Sequence, residues 1–87
     1  MIDCVTVSGS VTPIDGRTDM MLQVIKKFGL TANQTQSGAW EISGVCFKNM
    51  IVPFIRRLAQ NIEKGEIDTG SGLCFSFCEG KYGAFIG

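Results

Sequence analysis

The sequence contains no histidine. That removes the side chain that most often shuttles protons near neutral pH, and the commonest metal ligand. Neither sign of charge is in excess: eight Lys and Arg balance eight Asp and Glu, for a formal net charge of zero. A zero balance argues against a dedicated nucleic-acid or membrane-surface binder, whose affinity comes mainly from surplus positive charge. No apolar run reaches the roughly 18–20 residues needed to span a bilayer. The chain has no C-x2-C pair, no G-x-G-x-x-G and no G-K-S/T, so the common zinc and phosphate-loop signatures are missing. What is present is 87 residues, 45% hydrophobic and 18% charged. Such a chain is not intrinsically disordered, and it can build one modest core and no second one.

The N-terminus, Met1-Ile2-Asp3-Cys4-Val5, lacks a basic stretch followed by a long apolar one. It reads as the start of a strand, and the expected location is cytoplasmic, with reduced cysteines. Asn33-Gln34-Thr35 matches a glycosylation acceptor, which carries no meaning in a chain that is not exported. The four cysteines are Cys4, Cys46, Cys74 and Cys78. With no histidine, a zinc site would need all four, so they are expected to be small buried hydrophobes, and no metal or cofactor is expected. On a strand, Cys74 and Cys78 would lie about 13 Å apart, too far for a disulfide with each other.

Residues 2–8 are rich in β-branched side chains and predict a strand, with residues 9–18 a loop of Gly, Ser, Pro and Asp. Met21, Val24, Ile25 and Phe28 share one face of a helix over 19–28, capped by Thr18 or Asp19 and ended by Gly29. Residues 31–38 predict a polar, mobile loop. In residues 39–47, Trp40 and Ile42 alternate with Glu41 and Ser43, and Gly44 predicts a bulge that resets the alternation. A second helix is expected over 50–64, capped by Asn49, with Ile51, Phe54, Ile55, Leu58 and Ile62 as its buried stripe and Gly65 as its end. Residues 66–72 predict a loop. Leu73, Phe75 and Phe77 alternate in a strand over 73–78, Glu79-Gly80-Lys81 a tight turn, and 82–86 a returning strand.

The expected fold is therefore a single α+β domain over residues 1–87, ordered β-α-β-α-β-β. It is a two-layer sandwich with two amphipathic helices on one face of a four-stranded sheet. Parity then separates two unlike sheet faces. Val5, Val7, Trp40, Ile42, Leu73, Phe75 and Phe77 belong under the helices. Cys4, Thr6 and Ser8, then Glu41 and Ser43, then Cys74, Ser76 and Cys78 belong on the other side. Two readings of this small-residue face stay open. One is an ordinary solvent-facing sheet surface. The other is a face covered by another chain, because three thiols left in water on one surface are open to oxidation.

Ile67-Asp68-Thr69-Gly70-Ser71 resembles the apolar-Asp-Thr-Gly-Ser/Ala signature of the aspartic proteases, and Phe85-Ile86-Gly87 faintly resembles their later apolar-apolar-Gly element. The resemblance implies that Asp68 shares a proton with a second Asp to activate water. The match is a five-residue one, with a helix expected directly upstream and too little chain after Gly70 for that family's barrel. Ordinary turn chemistry is the expectation for it. Ser8-Gly9-Ser10 suggests a phosphate cradle only faintly, with Pro13 interrupting the path to the helix. A cysteine nucleophile lacks a histidine base. Arg56 and Arg57, with Lys64, put cations on the exposed half of the second helix, diluted by Glu63 and Glu66.

Three functions of different class follow. The favoured one is a small, non-enzymatic protein-binding module, inhibitor or adaptor in type, acting by surface complementarity. Its contacts would be Cys4, Thr6, Glu41, Ser43, Cys74, Ser76 and Cys78 on the sheet, with Arg56 and Arg57 on the helix. Its partner would be another protein or a second copy of itself. In size and plainness, with no motif carrying the likeness, the chain is similar to the small accessory proteins of phages and mobile elements, anti-CRISPR inhibitors among them. The second function is a nucleic-acid-associated protein using the basic face of residues 50–64. The third is a small-molecule-binding or catalytic domain completed only as an oligomer.

Overall fold

A computed structural model describes residues 3–87. The elements are β1 (Cys4–Pro13), α1 (Thr18–Lys27), β2 (Thr31–Gln34), β3 (Trp40–Phe47), a single 3-10 turn (Lys48–Met50), α2 (Ile51–Ala59), β4 (Ile62–Asp68), β5 (Leu73–Cys78) and β6 (Lys81–Ile86). The fold is α+β, with two helices packed on an antiparallel sheet. The sheet has six strands rather than the expected four, in the order β2-β3-β1-β4-β5-β6. All neighbouring strands are antiparallel. Through β4 the connectivity β-α-β-β-α-β, with β3 and β1 central, is that of the ferredoxin-like split βαβ arrangement. The β5 and β6 meander widens it on one side. Of the expected first strand, Ile2 lies outside the described residues.

The extra strands come from segments read as loop or helix. β1 does not stop at Gly9 but runs on through Ser10 and Val11, paired with Glu66 and Gly65 of β4. Residues 31–38 are a hairpin, not a free loop: β2 pairs with β3, and the Thr35 amide and hydroxyl both donate to the Ala39 carbonyl. The second helix ends at Ala59, and Gly65 lies inside a strand. Asn61 accounts for that early end. It is buried, its side-chain amide donates to the Arg57 carbonyl at 3.3 Å, and its Oδ1 accepts from Arg17 at 3.2 Å. Its own carbonyl accepts the Ile14 amide at 2.8 Å. One residue thereby satisfies an orphan carbonyl of the last turn and fastens the loop before α1. Neither helix has a side-chain N-cap, so Thr18, Asp19 and Asn49 do not play that part.

Gly29 does end α1. Its amide donates to the Lys26 carbonyl, and the Leu30 amide reaches the Ile25 carbonyl, a Schellman closure with Gly29 at φ +79. Leu30 is thereby delivered into the core over Gly44, where a Cβ would stand 2.8 Å from Leu30 Cδ2. Gly44 is thus a space requirement and not a bulge. The β1–β3 register runs unbroken through it, so Cys46 points inward and Val45 and Phe47 outward.

The core forms between the helices and the inner sheet face. Val7, Val11, Ile42, Ile67, Phe75 and Phe77 meet Met21, Ile25, Phe54, Ile55 and Leu58 there. Val5 and Trp40 pack against it as partly buried residues. The rings of Phe28 and Phe54 lie 5.3 Å apart, tilted by 60°, and join α1 to α2.

Candidate functional site: the acidic sheet trough

The outer face carries the alternate positions of every strand. In register across the sheet, Asn33 lies beside Glu41, Glu41 beside Ser10, Ser10 beside Glu66 and Glu66 beside Ser76. The next row runs Thr31, Ser43, Ser8, Asp68, Cys74, Phe85. These rows form an open trough of about 790 Å3, with Glu41, Glu66 and Asp68 as its charged lining and no Lys or Arg among the lining residues. Ser8, Ser10, Ser43 and Asn33 add hydroxyl and amide groups, Gly9 and Gly65 add backbone, and Phe85 supplies an apolar wall.

The sequence-predicted residues divide. Cys4, Thr6, Glu41, Ser43, Cys74, Ser76 and Cys78 all lie on the outer face. Of these, Glu41, Ser43 and Cys74 line the trough, while Cys4, Thr6, Ser76 and Cys78 lie outside its lining. Arg56 and Arg57 do not join them. They sit in the last turn of α2, on the helical layer behind the sheet. Sequence reasoning named Glu66, Asp68 and Ser10 in other roles but did not place them on the sheet face, because residues 66–72 lacked strand-like side chains and Gly9 read as a stop. The one available signal was Glu66-Ile67-Asp68, a short polar-apolar-polar alternation.

The zero net charge conceals a segregation. Arg17, Lys26, Lys27, Arg56 and Arg57 are exposed at the ends of the two helices, with Asp19 as the helices' acidic residue. The carboxylates of the trough lie on the opposite surface. Lys64 and Lys81, flanking Cys78 in register, lie on the same outer face in the row next to Glu66, outside the trough's lining.

The Asp-Thr-Gly-Ser segment is turn chemistry in the hairpin between β4 and β5. The Gly70 amide donates to Asp68 Oδ1 at 2.7 Å, and the buried Thr69 hydroxyl donates to the Leu73 carbonyl at 2.7 Å. Ser71 hydroxyl lies 2.9 Å from Thr69 Oγ1. The residue run upstream is strand β4 and not the expected helix, and the sheet is open, with helices on one face, rather than a barrel.

All four cysteines are free. Cys4 and Cys78 are exposed, Cys74 is half-buried and Cys46 is buried in the core. Burial, and secondarily Cys4, push the Cys46 thiol above its ordinary value. Its folded pKa is therefore raised. The stability it contributes is present below the unfolded thiol range and is lost as pH rises through the folded value. Native protein should react with a thiol reagent rapidly at Cys4 and Cys78, more slowly at Cys74, and at Cys46 only on unfolding. Mass spectrometry of timed labelling checks this. Fast labelling of Cys46 would contradict its place in the core, and slow labelling of Cys4, Cys74 and Cys78 together would indicate a covered face.

Among the described residues no group of His, Cys, Asp and Glu is arranged to hold a metal ion, and no helix is long and apolar enough to cross a membrane. No protein-family model matches the chain, and comparison with curated proteins and with solved structures likewise finds no match.

Proposed function

We propose that this protein is a small protein-binding module, inhibitor or adaptor in type, whose sheet trough receives a basic, extended segment of a partner protein. The observation that carries this reading is the trough itself: Glu41, Glu66 and Asp68 share one concave surface whose lining contains no cation. A carboxylate-lined groove attracts Lys and Arg side chains and repels phosphate, so it favours a basic peptide over a nucleic acid. The hydroxyls of Ser8, Ser10 and Ser43 and the amide of Asn33 offer hydrogen bonds to a peptide backbone, and Phe85 offers an apolar anchor. Catalysis is not part of the reading. The connectivity of the fold lends no further weight, because split βαβ domains serve many unrelated functions.

A second reading has its own observation. Lys27 of α1 and Arg57 of α2 line one groove between the helices, with Gln23, Gln60 and Asn61. Nucleic acid bound there would depend on Arg56 and Arg57 and would weaken steeply with salt.

The test uses an extended Lys/Arg-rich peptide and a single-stranded oligonucleotide, each followed by fluorescence anisotropy. The peptide is expected to bind wild type and to lose about tenfold or more with Glu66→Lys plus Asp68→Lys, since charge reversal at a desolvated contact costs well over 1 kcal/mol. Arg56→Ala plus Arg57→Ala should leave peptide binding unchanged. Absent peptide binding, or binding indifferent to Glu66 and Asp68, overturns the proposal. Oligonucleotide binding abolished by the Arg56 and Arg57 changes would favour the second reading.

A further inference from the structure

We infer that β6 is a self-pairing edge, and that two copies of this chain join there antiparallel into one continuous sheet with all four helices on the same face. The two edges of the sheet differ. β2 is four residues long and polar, the kind of short edge that resists pairing. β6 has six residues, all exposed, and only Lys81 among them is charged. It contains no proline, and its register with β5 runs without a bulge from Lys81 to Ile86. Apart from Lys81 at its first position, none of the usual devices that blunt an edge is present in it.

The backbone fixes which groups are free. Glu79 and Gly80 form the two-residue turn, both at positive φ, so Cys78 and Lys81 close the hairpin as a hydrogen-bonded pair. The Gly87 amide likewise donates inward, to the Gly72 carbonyl at 3.0 Å. Lys81, Gly83, Phe85 and Gly87 therefore turn their amides and carbonyls toward β5. Tyr82, Ala84 and Ile86 turn theirs outward, and among the described residues none of the three makes a main-chain bond outside the strand ladder.

A second β6 matches this edge. With Ala84 opposite Ala84 of the other copy, Tyr82 faces the other Ile86, and each such pair can exchange both main-chain bonds. These positions share the helix side of the sheet, so Ile86, 87% exposed in the single chain, is covered by an aromatic ring. On the outer side Phe85, 41% exposed, falls opposite the other copy's Gly83, an aromatic over a glycine, which is a favourable cross-strand combination. Lys81 meets Gly87, so no like charges oppose one another. The edge is complementary to itself on both faces, as a two-fold interface requires.

The experiment is the mass in solution of the full chain by light scattering and analytical ultracentrifugation. Wild type is expected to be a dimer. Ala84→Pro removes an outward amide without touching the β5 ladder, so it should give a folded monomer. Ala84→Lys and Ala84→Glu each set like charges face to face on the two-fold axis, and each alone should be monomeric. An equimolar mixture of the two should restore a dimer. That recovery reads the register itself and cannot come from misfolding. A wild-type monomer at millimolar concentration, a dimer retained by Ala84→Pro, or a mixture that stays monomeric would overturn the inference. Its mass readout does not depend on the peptide reading: Phe85 serves both surfaces, but Ala84 is not in the trough, so Ala84→Pro should keep the peptide binding that rests on Glu66 and Asp68.

Discussion

Gly65→Ala is expected to lower the melting temperature by about 10–30 °C, more than any exposed substitution in the chain, since about 2–5 kcal/mol shifts a domain of this size by several degrees per kcal/mol. Two costs combine. Gly65 holds φ +147, a backbone state that side chains rarely adopt, and such strain is of order 1–3 kcal/mol. Its Cβ would also stand 2.5 Å from the Ser10 carbonyl oxygen and 2.6 Å from Val11 Cα, both backbone atoms of the central strand β1. Backbone cannot swing aside as a side-chain tip can, so the β1–β4 pairing must shift, with an overpacking cost of about 1–3 kcal/mol. Gly38→Ala is the control. Gly38 has φ +91 but nothing within 4 Å of a Cβ, so only the conformational part should appear, about 1 kcal/mol. Thermal unfolding of both variants separates the two costs, and equal shifts would show that the close approach of β4 to β1 is absent.

The same glycine shows why part of the fold was hidden in the sequence. Ile62 falls four residues after Leu58, so it extends the apolar stripe of the second helix, and Gly65 then reads as that helix's stop. In the folded chain Ile62 is buried just as the stripe requires, but as the first residue of β4. Side-chain spacing could not distinguish the two, because both place Ile62 in the core. What ends the helix is Asn61, whose contacts to Arg17 and Ile14 are tertiary. Glu63, Lys64, Glu66 and Asp68 are poor strand formers, and β4 is held instead by ladders on both sides.

Where side chains alternate strictly, the reading succeeded. Val5, Val7, Trp40, Ile42, Phe75 and Phe77 lie on the helix side as parity requires, while Leu73, expected with them, is exposed at the start of β5; the Glu79-Gly80 turn closes the expected hairpin. The outer face was legible for the same reason, since assigning one parity to the core assigns the other to the surface. The trough was not, because two of its three carboxylates, Glu66 and Asp68, come from β4. Net charge misled in a similar way: a sum of zero says nothing about the distribution of charge between the two surfaces.

Phe54→Ala is expected to cost about 3–5 kcal/mol, the range for removing a fully buried aromatic ring. Phe54 is 0% exposed, and its ring tilts against Phe28, so the loss includes the packing between α1 and α2. Against a total stability of about 5–15 kcal/mol, that leaves a small domain close to unfolding. The aromatic contact itself can be isolated with Phe28→Leu and the double variant. A coupling of about 0.5–1.5 kcal/mol is expected, because the two rings act on each other beyond the area they bury. Urea unfolding of the four proteins measures it. A zero coupling would mean that α1 and α2 dock independently on the sheet, and a Phe54→Ala cost below about 1 kcal/mol would place that side chain outside the core. The trough faces away from this layer, so Phe54→Ala should reduce peptide binding only in proportion to the fraction unfolded, whereas Glu66→Lys plus Asp68→Lys, which also gives up the Gly70 amide contact to Asp68, should weaken it about tenfold or more beyond any change in the fraction folded.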